Sequence, residues 1–169
     1  MNNLYSAGVL PYCKCQDGNV YFFLGRDYDN KWSDFGGRSE PKDRGEIEMT
    51  AAREFWEESM GCIDEQETIR VTLKYKKIPY ISTKTPGGYP YYMYLLKVPY
   101  SMNYRQNFTS TRNFVVKTDI DKKYTEKYDV RWVSLDTLKY TISVKNMISL
   151  RGIFQTTFTN NLKEIEKLI

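Results

Sequence analysis

The order of apolar and polar positions divides the chain into short strand-like runs and two helical stretches. Residues 5–13 read as a strand, Asp17-Gly18 is a hairpin-turn signal, and residues 20–25 read as the partner strand. Residues 31–35 form a third short strand, which Gly36-Gly37 interrupts, and Pro41 and Gly45 keep the next stretch irregular. Residues 46–60 give the clearest helix. Residues 69–75 alternate apolar and polar side chains, the mark of a half-buried strand. Residues 83–90 contain Pro86-Gly87-Gly88 and read as a turn-rich loop; residues 91–98 read as an apolar strand in a long hairpin with residues 69–75. Residues 101–120 are compatible with strand, helix or loop. Residues 129–133 form a short strand, Ser134 is a candidate N-cap for a short helix over 135–140, and residues 154–168 read as a closing amphipathic helix. With no repeat, low-complexity tract or linker, residues 1–169 are expected to form a single domain, an α/β sandwich with a mixed sheet.

At ~100° per residue, the helix over 46–60 has two unlike sides. Ile47, Ala51, Ala52, Phe55, Trp56 and Met60 form an apolar arc, while Glu54, Glu57 and Glu58 share the opposite side with Arg53 at its edge. Carboxylates at this spacing repel by a few tenths of a kcal/mol per pair in water. A divalent cation removes that repulsion, since hard cations such as Mg²⁺ take oxygen ligands from carboxylates and phosphates. The alternative is a solvated acidic face with Arg53 in a surface ion pair.

Composition narrows the chemistry. The chain has no histidine, which excludes Ser-His-Asp and Cys-His catalysis. Its three cysteines, Cys13, Cys15 and Cys62, are odd in number and lack zinc-knuckle spacing, so reduced, partly buried thiols are expected. Apolar residues make up 41% and charged residues 27%, ordinary for a globular protein. No apolar run reaches the ~20 residues that span a bilayer, and no basic-then-apolar leader opens the chain. No membrane association and a cytoplasmic, intracellular location are expected. The net charge of +4 suits a polyanionic substrate and equally suits plain solubility.

Gly36-Gly37-Arg38-Ser39-Glu40-Pro41, followed by Arg53-Glu54-Phe55-Trp56-Glu57-Glu58, resembles the Nudix box. Two glycines there are expected to permit unusual backbone angles and close approach to a metal or phosphate. In the family the box runs Gly, five residues, Glu, seven residues, Arg-Glu, an apolar residue, any residue, Glu-Glu, any residue, Gly. Here Asp43 replaces the first glutamate, nine residues separate it from Arg53, and two residues, Ser59 and Met60, precede Gly61. The resemblance extends to the strand order and to residues 129–136, and it implies an α/β/α sandwich with a central catalytic helix and a C-terminal helix.

The resemblance also implies a metal-dependent hydrolase of a phosphoanhydride (pyrophosphate) bond, using Mg²⁺ or Mn²⁺. Glu57 and Glu58 would be metal ligands, Glu54 a ligand or the base, the Gly37 carbonyl a further ligand, and Arg53 the group that holds the carboxylates. Asp43 is a possible additional site residue or else a helix N-cap or loop residue. Glu126, in the loop before residues 129–133, is a candidate assisting carboxylate or else a solvated charge among Lys122, Lys123 and Lys127.

The expected substrate is a nucleoside diphosphate linked to another group. An RNA 5′ end (cap) or an inositol pyrophosphate is the alternative, and a catalytically inactive nucleotide- or protein-binding module is a third reading. Lys74, Lys76 and Lys77, with Lys84 and Arg38, form a basic cluster suited to phosphates or to a solvated strand edge. Pro79 and Tyr80 fall near the positions that mark subclasses of the family, and carrying both decides nothing. Tyr89, Tyr91, Tyr92 and Tyr94 offer either a stacking face or core packing. Nothing in the sequence identifies an oligomeric interface.

Overall fold

In the computed structural model, which describes residues 4–118, 122–144 and 147–169, the strands form one seven-stranded mixed sheet. They are β1 (Ser6–Lys14), β2 (Val20–Asp27), β3 (Trp32–Ser33), β4 (Phe35–Arg38), β5 (Tyr80–Lys84), β6 (Pro90–Lys97) and β7 (Lys127–Ser134). β1 and β6 pair in parallel at the centre, from Ser6 opposite Tyr91 to Tyr12 opposite Lys97. All other strand pairs are antiparallel. β1 is covered on both faces, so its side chains are buried in succession rather than in alternation.

The second edge of β1 is shared. Ser6 to Val9 pair with β4, and Tyr12 to Lys14 pair with β2. Pro11, which has no N–H to give to a ladder, lies in the gap between those two partners. Where β4 meets β1, Gly36 lies opposite Gly8. A Cβ on Gly8 would stand 2.4 Å from the Phe35 carbonyl oxygen, and one on Gly36 would stand 2.7 Å from the Gly8 Cα. The fork therefore depends on bare backbone, and it carries the Gly36-Gly37 segment to the helix bearing the glutamates.

Helices cover both faces. α1 (Ile47–Ser59), α2 (Gln66–Tyr75) and α3 (Asn103–Lys117) lie on one side, where Phe55, Ile69, Leu73 and Phe108 pack with Val9, Phe23 and Phe35. α4 (Leu135–Val144), α5 (Gly152–Asn160) and α6 (Leu162–Leu168) lie on the other, where Leu138, Phe154, Phe158 and Ile165 pack with Leu10, Phe22 and Leu24. This is the α/β/α sandwich expected from the sequence. No helix among the described residues is long and apolar enough to cross a membrane.

Three local expectations change, and one left open takes a definite form. Residues 69–75 belong to helix α2, not to a strand, because Ile69 and Leu73 stand one helical turn apart on the buried side while Val71 is 39% exposed. The hairpin partner of β6 is accordingly β5, with Tyr80 opposite Tyr94 and Lys84 opposite Pro90. Within residues 101–120 the structure has helix α3; residues 119 and 120 lie outside the described residues. The closing helix is two helices, because the Asn161 side-chain amide donates to the Thr157 carbonyl at 2.8 Å and the chain turns there. The Ser134 hydroxyl accepts from the Thr137 N–H at 3.0 Å, as an N-cap does.

Gly8→Ala should lower stability by ~1–3 kcal/mol, the usual range for overpacking. Denaturant unfolding measures this, and a loss under about 0.5 kcal/mol would contradict so close an approach of β1 and β4.

Candidate active site

The segment before α1 folds around one guanidinium. Pro41–Asp43 forms a single 3₁₀ turn, closed by Arg44 and Gly45 in the left-handed region (φ 53° and 75°). The turn drives the Asp43 carboxylate inward, leaving the residue 1% exposed. Arg53 Nε and Nη2 each donate to Asp43 at 2.9 Å, a two-pronged pair. Asp43 Oδ2 also accepts from the Glu40 N–H at 2.8 Å and the Thr50 hydroxyl at 2.9 Å. Burial works against its ionised form, but the Arg53, Glu40 and Thr50 hydrogen bonds outweigh this and hold the carboxyl below its usual range. Both Asp43 oxygens are engaged, and the residue holds Arg53 in position.

Arg53 spends its remaining donors on the acidic residues and the loop. Nη1 donates to Glu54 at 2.7 Å and to Glu57 at 3.4 Å, and Nη2 donates to the Arg38 carbonyl at 2.8 Å. The acidic side of α1 is turned inward rather than to solvent: Glu57 is 7% and Glu58 4% exposed. It rests on β4. A Cβ on Gly37 would stand 2.5 Å from the Glu54 carboxyl carbon, and the Gly36 N–H donates to Glu58 Oε2 at 2.7 Å. Gly36 and Gly37 both have negative φ, so their role is close approach and not an unusual backbone angle. Trp56, expected on the core-facing arc, is half-buried and meets Tyr124 edge-on at 6.0 Å. The extra residue after Glu58 is absorbed by Met60 and Gly61, both left-handed at φ 54° and 62°.

A lysine missed in the sequence completes the wall. Lys127 is 1% exposed; its ammonium donates to the Ser33 hydroxyl at 2.8 Å and stands 3.7 Å from Glu58 Oε1. Its stem lies against Gly25, where a Cβ would meet it at 3.0 Å. Burial pushes Glu58 up to about 8, against the pull of Lys127 and the Gly36 N–H and with the repulsion of Glu54 and Glu126. Burial also raises Glu54, opposed by Arg53 and assisted by Glu57 and Glu126. Glu126 is exposed, yet it borders an opening of ≈ 490 Å³ together with Glu58, Lys127 and Arg151. The side chains of Lys122 and Lys123 lie outside the described residues.

Gly36 and Gly37 also border a cleft of ≈ 330 Å³, with Arg38, Asp34, Tyr89 and Arg151 among its other residues. Arg151 and Asp34 were not singled out in the sequence. Arg151 is fixed because its N–H donates to the Trp32 carbonyl at 2.9 Å. The lysine cluster is elsewhere. Lys74 pairs with Glu46 at 3.3 Å near the end of α2, and neither it nor Lys76, Lys77 or Tyr80 borders the cleft. Tyr80 leans on the rings of Tyr92 and Tyr94 at 5.5 and 5.3 Å, while Tyr91 and Tyr94 are buried and Tyr89 reaches the cleft.

The donor set suits a hard divalent cation: three glutamates and a glycine carbonyl, all oxygen. Glu40, Asp43, Glu54, Glu57 and Glu58 face Arg53, Lys42 and Lys127, so five carboxyls meet three cations. Among the described residues, however, no three acidic or thiol side chains stand together as a ready cluster. Glu54 is held by Arg53, Glu57 by Arg53 and Lys42, and Glu58 by Gly36 and Lys127. Loading a cation would require these carboxylates to turn from their present partners.

No family model matches the sequence. No curated protein sequence matches it either. Solved structures do match in shape. A Nudix hydrolase from M. smegmatis, RenU, superimposes with TM-score 0.54 at 12% identity, over 100% of this chain and 90% of that one. The C-terminal domain of mouse MUTYH, solved in complex with human PCNA, superimposes with TM-score 0.55 at 11% identity, over 96% and 90%. The chain has the Nudix fold.

Asp43→Asn should cost about 3 kcal/mol at neutral pH, since it leaves a buried guanidinium short of its partner. The Asp43 pKa is depressed on folding, so its contribution is present above the ordinary carboxylate pKa of ~3.9 and is lost as pH falls through the folded value. The stability gap between wild type and variant should thus narrow below about pH 4. Denaturant unfolding from neutral to acid pH checks this, and a gap of constant size would refute the assignment.

Proposed function

We propose that the protein hydrolyses a phosphoanhydride bond in a nucleoside diphosphate-type substrate at the α1–β4 site. The observation that carries this reading is the burial of Glu57 and Glu58 on α1, with Glu54 and Glu58 resting on the glycine backbone of β4 that also borders a cleft with Arg38 and Arg151. A helix made only for solubility has no reason to bury carboxylates, because each costs desolvation energy.

Glu54, Glu57, Glu58 and the Gly37 carbonyl are the groups that would hold Mg²⁺ or Mn²⁺, which supplies Lewis acidity toward phosphoryl oxygens and water when bound. The chain's own residues do the rest. Arg53 fixes Glu54 and Glu57, and the Gly36 N–H fixes Glu58. Arg38 and Arg151 offer positive charge to the phosphates. A water oxygen attacks one phosphorus, the bridging P–O bond breaks, and the electron pair leaves with the other phosphate. Glu54, with its pKa raised by burial, takes the proton that the water loses; Glu126 is the second candidate for that role.

The RNA 5′-end and inositol pyrophosphate alternatives drew on the lysine cluster, which does not border the cleft, and they lose that support. The binding-module reading keeps one: a domain of this fold, from mouse MUTYH, was solved in complex with another protein.

Purified protein offered ADP-ribose, dinucleoside polyphosphates, nucleoside triphosphates, an inositol pyrophosphate and capped RNA should turn over a nucleoside diphosphate-type compound only with Mg²⁺ or Mn²⁺. Glu57→Gln should reduce that turnover by at least ~100-fold while circular dichroism stays unchanged. Absence of turnover on the whole panel favours the binding module, and activity surviving Glu57→Gln would refute the ligand assignment.

A further inference from the structure

Among the described residues that border the cleft, Asp34 is the sole acid, and the proposed hydrolysis does not use it. It stands between β3 and β4 and is 4% exposed. Its Oδ2 accepts a hydrogen bond from the Tyr91 hydroxyl. Burial raises the Asp34 carboxyl, while the Tyr91 hydrogen bond and the charges of Lys127 and Arg151 oppose that rise. Tyr91 is itself 5% exposed on central strand β6, and its hydroxyl fills the space over Gly36, where a Cβ would stand 2.9 Å from it.

Packing alone does not account for this pair. Replacing a buried polar pair with apolar side chains of the same volume is often neutral or stabilising. A carboxylate accepts about four hydrogen bonds, and Tyr91 supplies one to an oxygen it already holds in place. The cleft thus presents a preorganised acceptor, with Tyr89 and Ile153 as flat and apolar wall and Arg38 and Arg151 as charged wall. Its ≈ 330 Å³ falls at the small end of the range for small-molecule sites, ~300–1,000 Å³.

We infer that Asp34, held by Tyr91, is the specificity residue of this cleft and receives a ligand edge with two adjacent hydrogen-bond donors, the guanine base of a guanine nucleotide. The inference rests on the hydrolase reading, since the cleft shares Gly36 and Gly37 with the acidic face. Guanine carries N1–H and the 2-amino N–H side by side, which match two carboxylate oxygens. Adenine and cytosine set a donor beside an acceptor, whose lone pair would face the carboxylate. Uracil sets one donor between two acceptors. A ribose diol also offers two adjacent donors, but it is common to every ribonucleotide and would give no preference among bases.

The test is calorimetric titration of the full chain, free of divalent metal, with GMP, IMP, AMP and CMP, none of which contains an anhydride bond. GMP should bind at least ~10-fold tighter than AMP or CMP, with IMP, which lacks the 2-amino group, in between. Asp34→Asn, whose amide offers one donor and one acceptor, should abolish the preference for GMP. Equal affinities would indicate the ribose diol and overturn the base assignment, as would a preference for AMP or no binding of any of the four. If Asp34→Asn does not fold, the wild-type series still decides. The two readings fail separately. A flat series leaves Glu57-dependent turnover standing, and a guanine preference without turnover would keep the subsite and remove the hydrolase.

Discussion

Arg53 is the residue on which the rest of the site depends. A guanidinium has five N–H donors, and here Asp43, Glu54, Glu57 and the Arg38 carbonyl take all of them. Those bonds tie the 3₁₀ turn, the end of β4 and the acidic side of α1 to a single planar group that is 3% exposed. A lysine carries the same charge but only a point of it, and could not hold three segments in fixed relation. The arrangement also explains how carboxylates that repel one another can share a helix side. Arg53, Lys42 and Lys127 each neutralise part of the charge.

The helix and its acidic side were legible because both signals are local: a 3.6-residue period and residue types within one span. The strand expected over residues 69–75 failed for a reason inherent in that window. Ile69, Val71 and Leu73 stand at i, i+2 and i+4, which satisfies a strand, while the pair at i and i+4 equally satisfies a helix. Only the exposure of Val71 separates the two. α3 gave no signal because Phe108 is its one fully buried side chain among the described residues, too little to mark a period.

Other parts of the site depend on distant pairings that no local pattern records. Lys127 looks like a loop charge until β7 pairs with β2 and sets its ammonium against Ser33, 94 residues earlier. Asp34 meets Tyr91 across 57 residues, through the parallel pairing of β1 with β6. Asp34 left no clear trace, since it follows Ser33 in a short mixed stretch, Lys31-Trp32-Ser33-Asp34-Phe35, that has no apolar run for an acid to interrupt. Arg151 left none; its place follows from the backbone bond to Trp32.

The two departures from the Nudix box before α1 offset each other. Aspartate is one methylene shorter than glutamate, so a carboxylate at position 43 must start from a backbone closer to Arg53. The longer spacing provides that approach. The added length is taken up where the chain turns through Arg44 and Gly45 in left-handed conformation, and the 3₁₀ turn before them carries Asp43 into the interior. A left-handed arginine costs on the order of 1 kcal/mol, less than a two-pronged buried ion pair would lose by failing to close. In this chain the contact closes despite the longer spacing. A pattern built on fixed spacing passes over such a chain, although the guanidinium and the carboxylate it was meant to find are in contact at 2.9 Å.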